Sequence, residues 1–375
     1  MKTSVSQQQL AHGLGIVSRA VSPRSTLPVL GNVLIATDEG RLRLSATNLE
    51  LGISCWIGAQ IIEDGSITIP ARTFADLINT LPNDNVTLTL NSATQTLNVT
   101  CGASVTDIKG IDAQEFPPMP VPDMNEAIEL NVTDMKEMIQ QVVFAASSDE
   151  ARPVLQGVMM TVQDNEVTLA ATDGFRISVR KSALSTPVTH PINVIIPARA
   201  LSELARISTD GSQMISMIVP QGRGQVIFKI KDAELVSQLI EGQFPDYKLI
   251  IPRSFKTHTI LSTSQFLNAC RQVEIIARDS NFVIRLNIEP QGDAPGRVEI
   301  SAQSEETGAS DVKIDATIEG DGIEIAYNVR YLREVLDVIK TPNVVLENNA
   351  NNTPGLIKPV GDDNFLHVIM PMHLG

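Results

Sequence analysis

The chain repeats itself. PARTFADLINTL at 70–81 returns as PARALSELARIS at 197–208 and, more loosely, as NVRYLREVLDVI at 328–339, which places Arg72, Arg199 and Arg330 at offsets of 127 and 131. A second helical pattern begins at Ser6, Thr133 and Ser264 with the same offsets, three hydroxyl residues suited to accept a backbone N–H as N-caps. Each pattern carries apolar residues at helical spacing: Leu10, Leu14 and Val17; Met135, Ile139 and Val142; Phe266, Cys270 and Val273. Self-similarity at this period is too long for a solenoid repeat and fits whole domains.

Strand-like text surrounds the helices. GRLRLSATNLELGISCWI at 40–57, NEVTLAATDGFRISVR at 165–180 and GRVEISAQSEETGASDVKI at 296–314 correspond, with Ala46, Ala171 and Ala302 in equivalent places. NVTLTL at 85–90 and TLNVTC at 96–101 alternate about a polar turn and read as a hairpin with one buried face, and QVIFKI at 225–230 reads as a counterpart. Proline clusters in FPPMPVPD at 116–123 and FPDYKLIIP at 244–252 close the first two units, since proline cannot donate to a sheet ladder. The expected architecture is α+β: three repeated domains, 1–124, 125–252 and 253–375, each with two helices packed on antiparallel sheet.

Charge limits what such a chain can do. The net charge is −14, and Lys+Arg against Asp+Glu stand at 7 and 11, 11 and 15, and 11 and 17 in the three domains, so none is a basic module. The six helical segments differ. Eight basic residues (Arg19, Arg72, Lys136, Arg199, Arg206, Arg271, Arg330, Arg333) meet seven acids (Asp76, Asp134, Glu137, Glu203, Glu274, Glu334, Asp337), leaving the helices near +1 on an acidic body. Mixed helix charge is also what a plain solvated face shows; its functional reading is a surface that does not repel phosphate.

No catalytic constellation stands out. His12, His190, His258, His367 and His373 are isolated and show no paired-ligand spacing; Cys55, Cys101 and Cys270 form neither a CxxC site nor a disulfide framework and read as buried thiols. GRG at 222–224 and EGDG at 319–322 are glycine turns without the GK[ST] of a nucleotide-binding loop. Asp149 and Asp173 form a conceivable acid pair, but the repeat puts Asn48 and Ser304 where Asp173 stands, as for a turn residue. Neither metal nor cofactor is expected. MKTSVSQQQL has no apolar h-region and no stretch approaches a membrane span, which points to a cytoplasmic protein with no membrane partner.

RSTLPVLGNVLI at 24–35, PARTFADLI at 70–78, ATDGFRIS at 171–178, EGQFPDY at 241–247, YNVRYL at 327–332 and the terminal MPMHL at 370–374 together resemble the bacterial DNA polymerase III β subunit family, the sliding clamps. The resemblance covers essentially the whole chain. It implies a non-enzymatic processivity factor: two chains joined head to tail in a six-domain ring around double-stranded DNA. Polymerase III α subunit, clamp loader and other clamp-motif proteins are the implied partners. A ring holds DNA by topology, so contacts in its hole can be few and sequence-blind. The alternative is a three-domain scaffold that binds proteins without encircling DNA.

By the same resemblance, Arg24 and Arg72 face DNA, joined by Arg199 from the internal repeat and by Arg206; the loop SSDEARPV at 147–154 contributes Asp149, Pro153 and Val154. A groove for short peptides is implied at Leu155, Thr172, Gly174, Phe175, Arg176 and Ile177. It continues with Pro245, Ile250, Asn328, Tyr331, Val368, Met370, Pro371 and Met372. In such a groove Gly174 permits close approach, and Arg176 or Asn328 fixes a peptide carbonyl. Phe175 stands where the family often has histidine, and His373 with Gly375 alters a tail that commonly ends Arg-Leu. The implied subunit interface sets the edge strand Ser104, Thr106 and Ile108 against Ile275 and Ile276 of the other chain.

Overall fold

The structure, a computed structural model, describes residues 1–22, 27–121, 123–211, 213–292 and 294–373. Among the described residues, six α-helices carry the periodic apolar faces: α1 Gln7–Val17, α2 Ala71–Thr80, α3 Val132–Val142, α4 Ala198–Ile207, α5 Thr263–Ala277 and α6 Val329–Val338. Leu10, Leu14 and Val17 of α1, and Phe266, Cys270 and Val273 of α5, are buried, as the spacing requires. Truncating a fully buried core side chain such as Phe74 costs about 3–5 kcal/mol.

The N-cap expectation holds at Ser6, whose hydroxyl accepts from Gln9 N at 3.3 Å, and fails at the other two sites. Thr133 lies inside α3, where its N–H donates to Asn131 Oδ1 at 2.8 Å, and Ser264 lies inside α5, whose cap position is Ser262. As at α1, where Lys2–Ser6 ends on its cap residue, a strand runs directly into each helix; Ile128–Asn131 and Thr257–Ser262 end two residues before Thr133 and Ser264, so Asn131 and Ser262 take the cap position.

Contacts divide the chain into two compact units, Met1–Thr133 with Arg199–Leu239, and Asp134–Ala198 with Ile240–Gly375. The first unit holds a five-stranded sheet in the order Gln60–Glu63, Lys2–Ser6, Asn85–Asn91, Thr96–Cys101, Ser104–Lys109. Its Asn85–Asn91 and Thr96–Cys101 strands pair antiparallel as the alternation predicts, with Val86, Leu88, Leu97 and Val99 on the buried face. An eight-stranded sheet completes this unit and joins Ala233–Gln238 to Leu51–Ile57, with Val236 opposite Gly52.

The second unit is built on one twelve-stranded sheet. In it Phe365–Ile369 pairs with Arg176–Ala183, placing Val368 opposite Ile177. The long Gly308–Gly320 strand bonds Thr257–Ser262 through its last four residues and Ala294–Ser304 along the rest. Phe266, Val273, Leu286, Tyr327, Leu332 and Phe365 share a single core beneath α5 and α6.

One turn is built three times. Thr47 Oγ1 donates to Leu51 O at 3.1 Å while Asn48 Oδ1 accepts from Leu51 N at 2.7 Å. Thr172 Oγ1 likewise donates to Arg176 O at 2.7 Å, and Asp173 Oδ1 accepts from Arg176 N at 3.1 Å. Ser304 Oγ accepts from Glu306 N and Thr307 N in the third copy. Asp173 is therefore the turn residue that the repeat predicts.

Candidate peptide groove and arginine surface

In the second unit the Thr172–Asp173 turn positions several of the residues expected to line a peptide groove. Gly174 has φ +94°, which a side-chain-bearing residue adopts only under strain, and a Cβ there would stand 3.4 Å from Arg152 Nη1. Beyond it Phe175 projects, 56 % exposed, and its carbonyl oxygen accepts from Met370 N at 2.9 Å. Met372 N donates to Ala326 O at 2.8 Å, so the Met370–Met372 tail is stitched to both Phe175 and the Ile323–Asn328 strand. Ile177 and Val368 pack with Tyr247 into one apolar cluster, while Ile250 and Met370 remain exposed. Pro245 is exposed, and its carbonyl accepts from Tyr247 N at 2.8 Å.

Arg176 is used differently from the expectation that it fixes a peptide carbonyl. Its side chain is 8 % exposed. Nε donates to Asp173 Oδ2 at 3.1 Å, Nη1 to Glu334, and Nη2 to the Phe144 carbonyl at 2.7 Å; the guanidinium lies 4.3 Å from the Tyr331 ring centre and 5.3 Å from that of Phe144. A group so occupied braces the Asp173 turn against α6 and the Phe144 carbonyl. Burial pushes the Tyr331 phenol up. Asn328 caps α6, its Oδ1 accepting from Arg330 N at 3.0 Å, which leaves the amide group to donate.

The 147–154 loop is tied to the same wall. Arg152 Nε meets Asp149 Oδ2 at 2.9 Å and Arg152 Nη1 donates to Asp173 O at 2.9 Å. The Ala151 N–H and then Arg152 hold the Asp149 carboxyl below its usual range. Leu155 accepts from Ser147 N at 2.8 Å, Val154 packs against Gly242, and Pro153 is exposed. Sequence reasoning missed Arg152 as the bolt between loop and turn; an arginine three residues after Asp149 was the available signal.

Next to Arg176, His367 Nδ1 is 2.7 Å from Ser178 Oγ and the ring stacks on Phe144 at 5.6 Å. Desolvation, then the nearby Arg176 charge, lowers its pKa to about 3. Nε2 is buried without a hydrogen-bond partner. Cys55, Cys101 and Cys270 are buried free thiols, and burial pushes Cys55 up to about 11.

The residues expected to face DNA are distributed as follows. Arg24 lies outside the described residues. Arg72 stands 96 % exposed on α2, 3.9 Å from Asp76. Arg199 and Arg206 converge with Arg19, which sequence reasoning left out of the site. Arg199 Nη2 donates to Arg19 O at 3.1 Å, and the buried Glu203 carboxylate takes Arg206 at 3.2 Å and Arg19 at 3.6 Å. Ser104, Thr106 and Ile108 face inward on the Ser104–Lys109 edge strand; Ile275 of α5 is 61 % exposed and Ile276 partly buried. Among the described residues, no group of three or more His, Cys, Asp or Glu could hold a metal ion, and no helix is long and apolar enough to cross a membrane.

The chain matches the DNA polymerase III beta subunit family in all three of its parts: the N-terminal domain over residues 1–120, the central domain over 129–246 and the C-terminal domain over 248–373. It is 36 % identical over 379 residues to a beta sliding clamp of Synechococcus elongatus, with 100 % of both chains covered, and 34 % identical over 382 residues to one of Staphylococcus aureus, with 99 % of each covered. Among solved structures, the DNA polymerase sliding clamp of Bacillus subtilis superposes with a TM-score of 0.94 at 29 % identity, and the DNA polymerase III subunit beta of Pseudomonas aeruginosa with 0.91 at 26 %, each covering 100 % of both chains.

Proposed function

Because the chain belongs to the DNA polymerase III beta subunit family, we propose that it closes as a head-to-tail homodimeric ring around duplex DNA and holds polymerase there. It is a sliding clamp and a processivity factor, with no catalytic role of its own. The observation that carries the ring is the repeated seam. The last strand of the second repeat pairs with the first repeat, Val236 opposite Gly52, and the last strand of the third pairs with the second, Val368 opposite Ile177. Gly52 and Ile177 are equivalent, each lying opposite the turn threonine of its hairpin, Thr47 or Thr172.

The first repeat's last strand, Ser104–Lys109, ends its sheet with one edge open, and the equivalent edge of the third repeat is open along 308–316. Ala309 lies opposite Gln303, which follows Ala302 as Thr47 follows Ala46. The same register then sets Asp107 against the partner subunit's Ala309, Thr106 against the partner subunit's Ser310 and Ser104 against the partner subunit's Val312. These last two pairs join the inward faces of both strands, whereas a slip of one residue would oppose inward to outward. Ile275 fits this closure. It stands two residues past Val273, as Arg19 does past Val17 and Phe144 past Val142, and those two residues meet Glu203 and the Arg176–Glu334 pair. The acid equivalent to Glu203 and Glu334 on α2 is Asp76, so the partner's α2 is the surface that Ile275 covers.

The three domains are read as 1–124, 125–252 and 253–375, with the boundaries directly after the two proline-bearing stretches. The groove of Leu155, Phe175, Ile177, Ile250, Val368 and Met370 takes short apolar motifs from polymerase III α subunit, the clamp loader and other clamp-motif proteins, with Asn328 donating to the bound peptide. Arg24, Arg72, Arg199 and Arg206 contact phosphate. The protein works in the cytoplasm. Linkage to circular DNA that disappears when the circle is cut tests this reading.

A further inference from the structure

Counted by sequence, Glu203 is one of the acids that offset the helical arginines. Its placement gives it another role. It is buried on α4, and its Oε2 has no hydrogen-bond partner, while Arg206 reaches the carboxylate at 3.2 Å from one side and Arg19 at 3.6 Å from the other. Arg199 is fixed independently by its bond to the Arg19 carbonyl, in the middle of the 3-10 turn Ser18–Ala20 that follows α1. Two guanidinium groups therefore meet one sunken carboxylate, with Arg199 bonded to the backbone of one of them, and Arg19 and Arg206 keep 44 % and 58 % of their side-chain surface open to solvent.

The equivalent acid in the third repeat is spent otherwise. Glu334 pairs with Arg176, which is buried against Phe144 and Tyr331. Only at Glu203 does this position hold exposed arginines around a buried acid, among the three repeats of the described residues. Asp76 on α2 has an exposed partner too, Arg72, but is itself 74 % exposed and sinks nothing.

We propose that Glu203 is a positioning residue that gathers Arg19 and Arg206, beside Arg199, into a seat for a backbone phosphate of duplex DNA. Long side chains left free lose rotamer entropy on binding; a buried carboxylate removes that loss beforehand and leaves the outer N–H groups to the phosphate. The cluster keeps a local charge of two positive after Glu203 is counted. This rests on the DNA-encircling reading, and it adds Arg19 to the arginines that meet phosphate.

The test is the salt dependence of binding to a short fluorescent linear duplex by the dimer, between 50 and 200 mM salt. Glu203→Gln makes the protein more positive by one charge, so if Glu203 only offsets the arginines the variant binds more tightly. The proposal requires the opposite: weaker binding at low salt and a slope of log K against log salt shallower by about 0.9 for each phosphate that is no longer neutralised, which is about threefold in the ratio of affinities across that salt range. Arg19→Gln is expected to flatten the slope by the equivalent of one phosphate, and adding Glu203→Gln to it should cost less than Glu203→Gln alone costs the unaltered chain. Tighter binding by Glu203→Gln, an unchanged slope, or no measurable duplex binding by the unaltered protein overturns the seat. Should Glu203→Gln fail to fold, an unchanged slope in the half-exposed Arg19→Gln variant overturns it alone. Topological retention of the unaltered protein on a DNA circle separates the two claims: retention with unchanged slopes removes only the seat, and failure of retention removes the reading beneath it.

Discussion

Arg176 lies with its guanidinium 4.3 Å from the centre of the Tyr331 ring, pinned there by Asp173 and Glu334. A residue buried this way holds the turn, the helix α6 and the Phe144 carbonyl together. Arg176→Ala leaves two carboxylates facing a cavity, and the expected loss is about 3–5 kcal/mol of stability, read by denaturant titration. Arg176→Lys should recover little, because an ammonium cannot make the forked hydrogen bonds or stack on the rings.

Truncation after Ile369 is expected to abolish capture of polymerase-derived peptides while leaving the dimer intact. The tail is fixed to Phe175 and Ala326 by backbone bonds from Met370 and Met372, beside the residues of the proposed groove, and it is remote in sequence from the Ser104–Lys109 strand. Fluorescence anisotropy of a labelled peptide, with sedimentation for the dimer, reads both; unchanged peptide binding sinks the groove assignment.

Much of this was legible in the sequence, and the limits are physical. The helices and hairpins were readable because burial imposes periods of 3.6 and 2 on residues such as Leu10, Leu14 and Val17 or Val86 and Leu88. The turn role of Asp173 was readable because it recurs as Asn48 and Ser304. The starts of α3 and α5 were not, since the strands that run into them end on Asn131 and Ser262, two residues before the hydroxyls at Thr133 and Ser264 that the repeat offsets pick out. The Arg176 brace joins residues 32 and 158 positions apart, and no local pattern announces such an interaction. The burial of Glu203 between Arg19 and Arg206 was hidden for a similar reason, since charge counting sees only its sign.

His367 makes stability depend on acid. Its folded pKa is lowered from 6.5 to about 3, so below pH 6.5 the unfolded chain takes up a proton that the folded chain refuses; stability falls as pH drops through that window and levels below about 3. His367→Gln should flatten this limb, reducing the loss between pH 6.5 and 5 by about 2 kcal/mol relative to the unaltered protein. Parallel urea titrations at the two pH values check it, and identical losses would remove His367 as the cause.

The proposed subunit register makes a covalent prediction. Thr106→Cys with Ser310→Cys should form an intersubunit disulfide under mild oxidation, because the two residues lie opposite on one face of adjacent strands. Thr106→Cys with Ala309→Cys puts the thiols on opposite faces and should link poorly. Equal linking, or none in the first pair, contradicts the register.

The most direct measurement concerns the ring itself. The protein is loaded by clamp loader and ATP onto a nicked DNA circle, isolated with it at moderate salt, and the circle is then cut at one site. A ring that encircles DNA stays on the closed circle and slides off when the circle becomes linear. Protein that stays bound after cutting grips DNA by affinity, and protein that never accumulates on the circle does not encircle it; either result contradicts the sliding clamp proposed here.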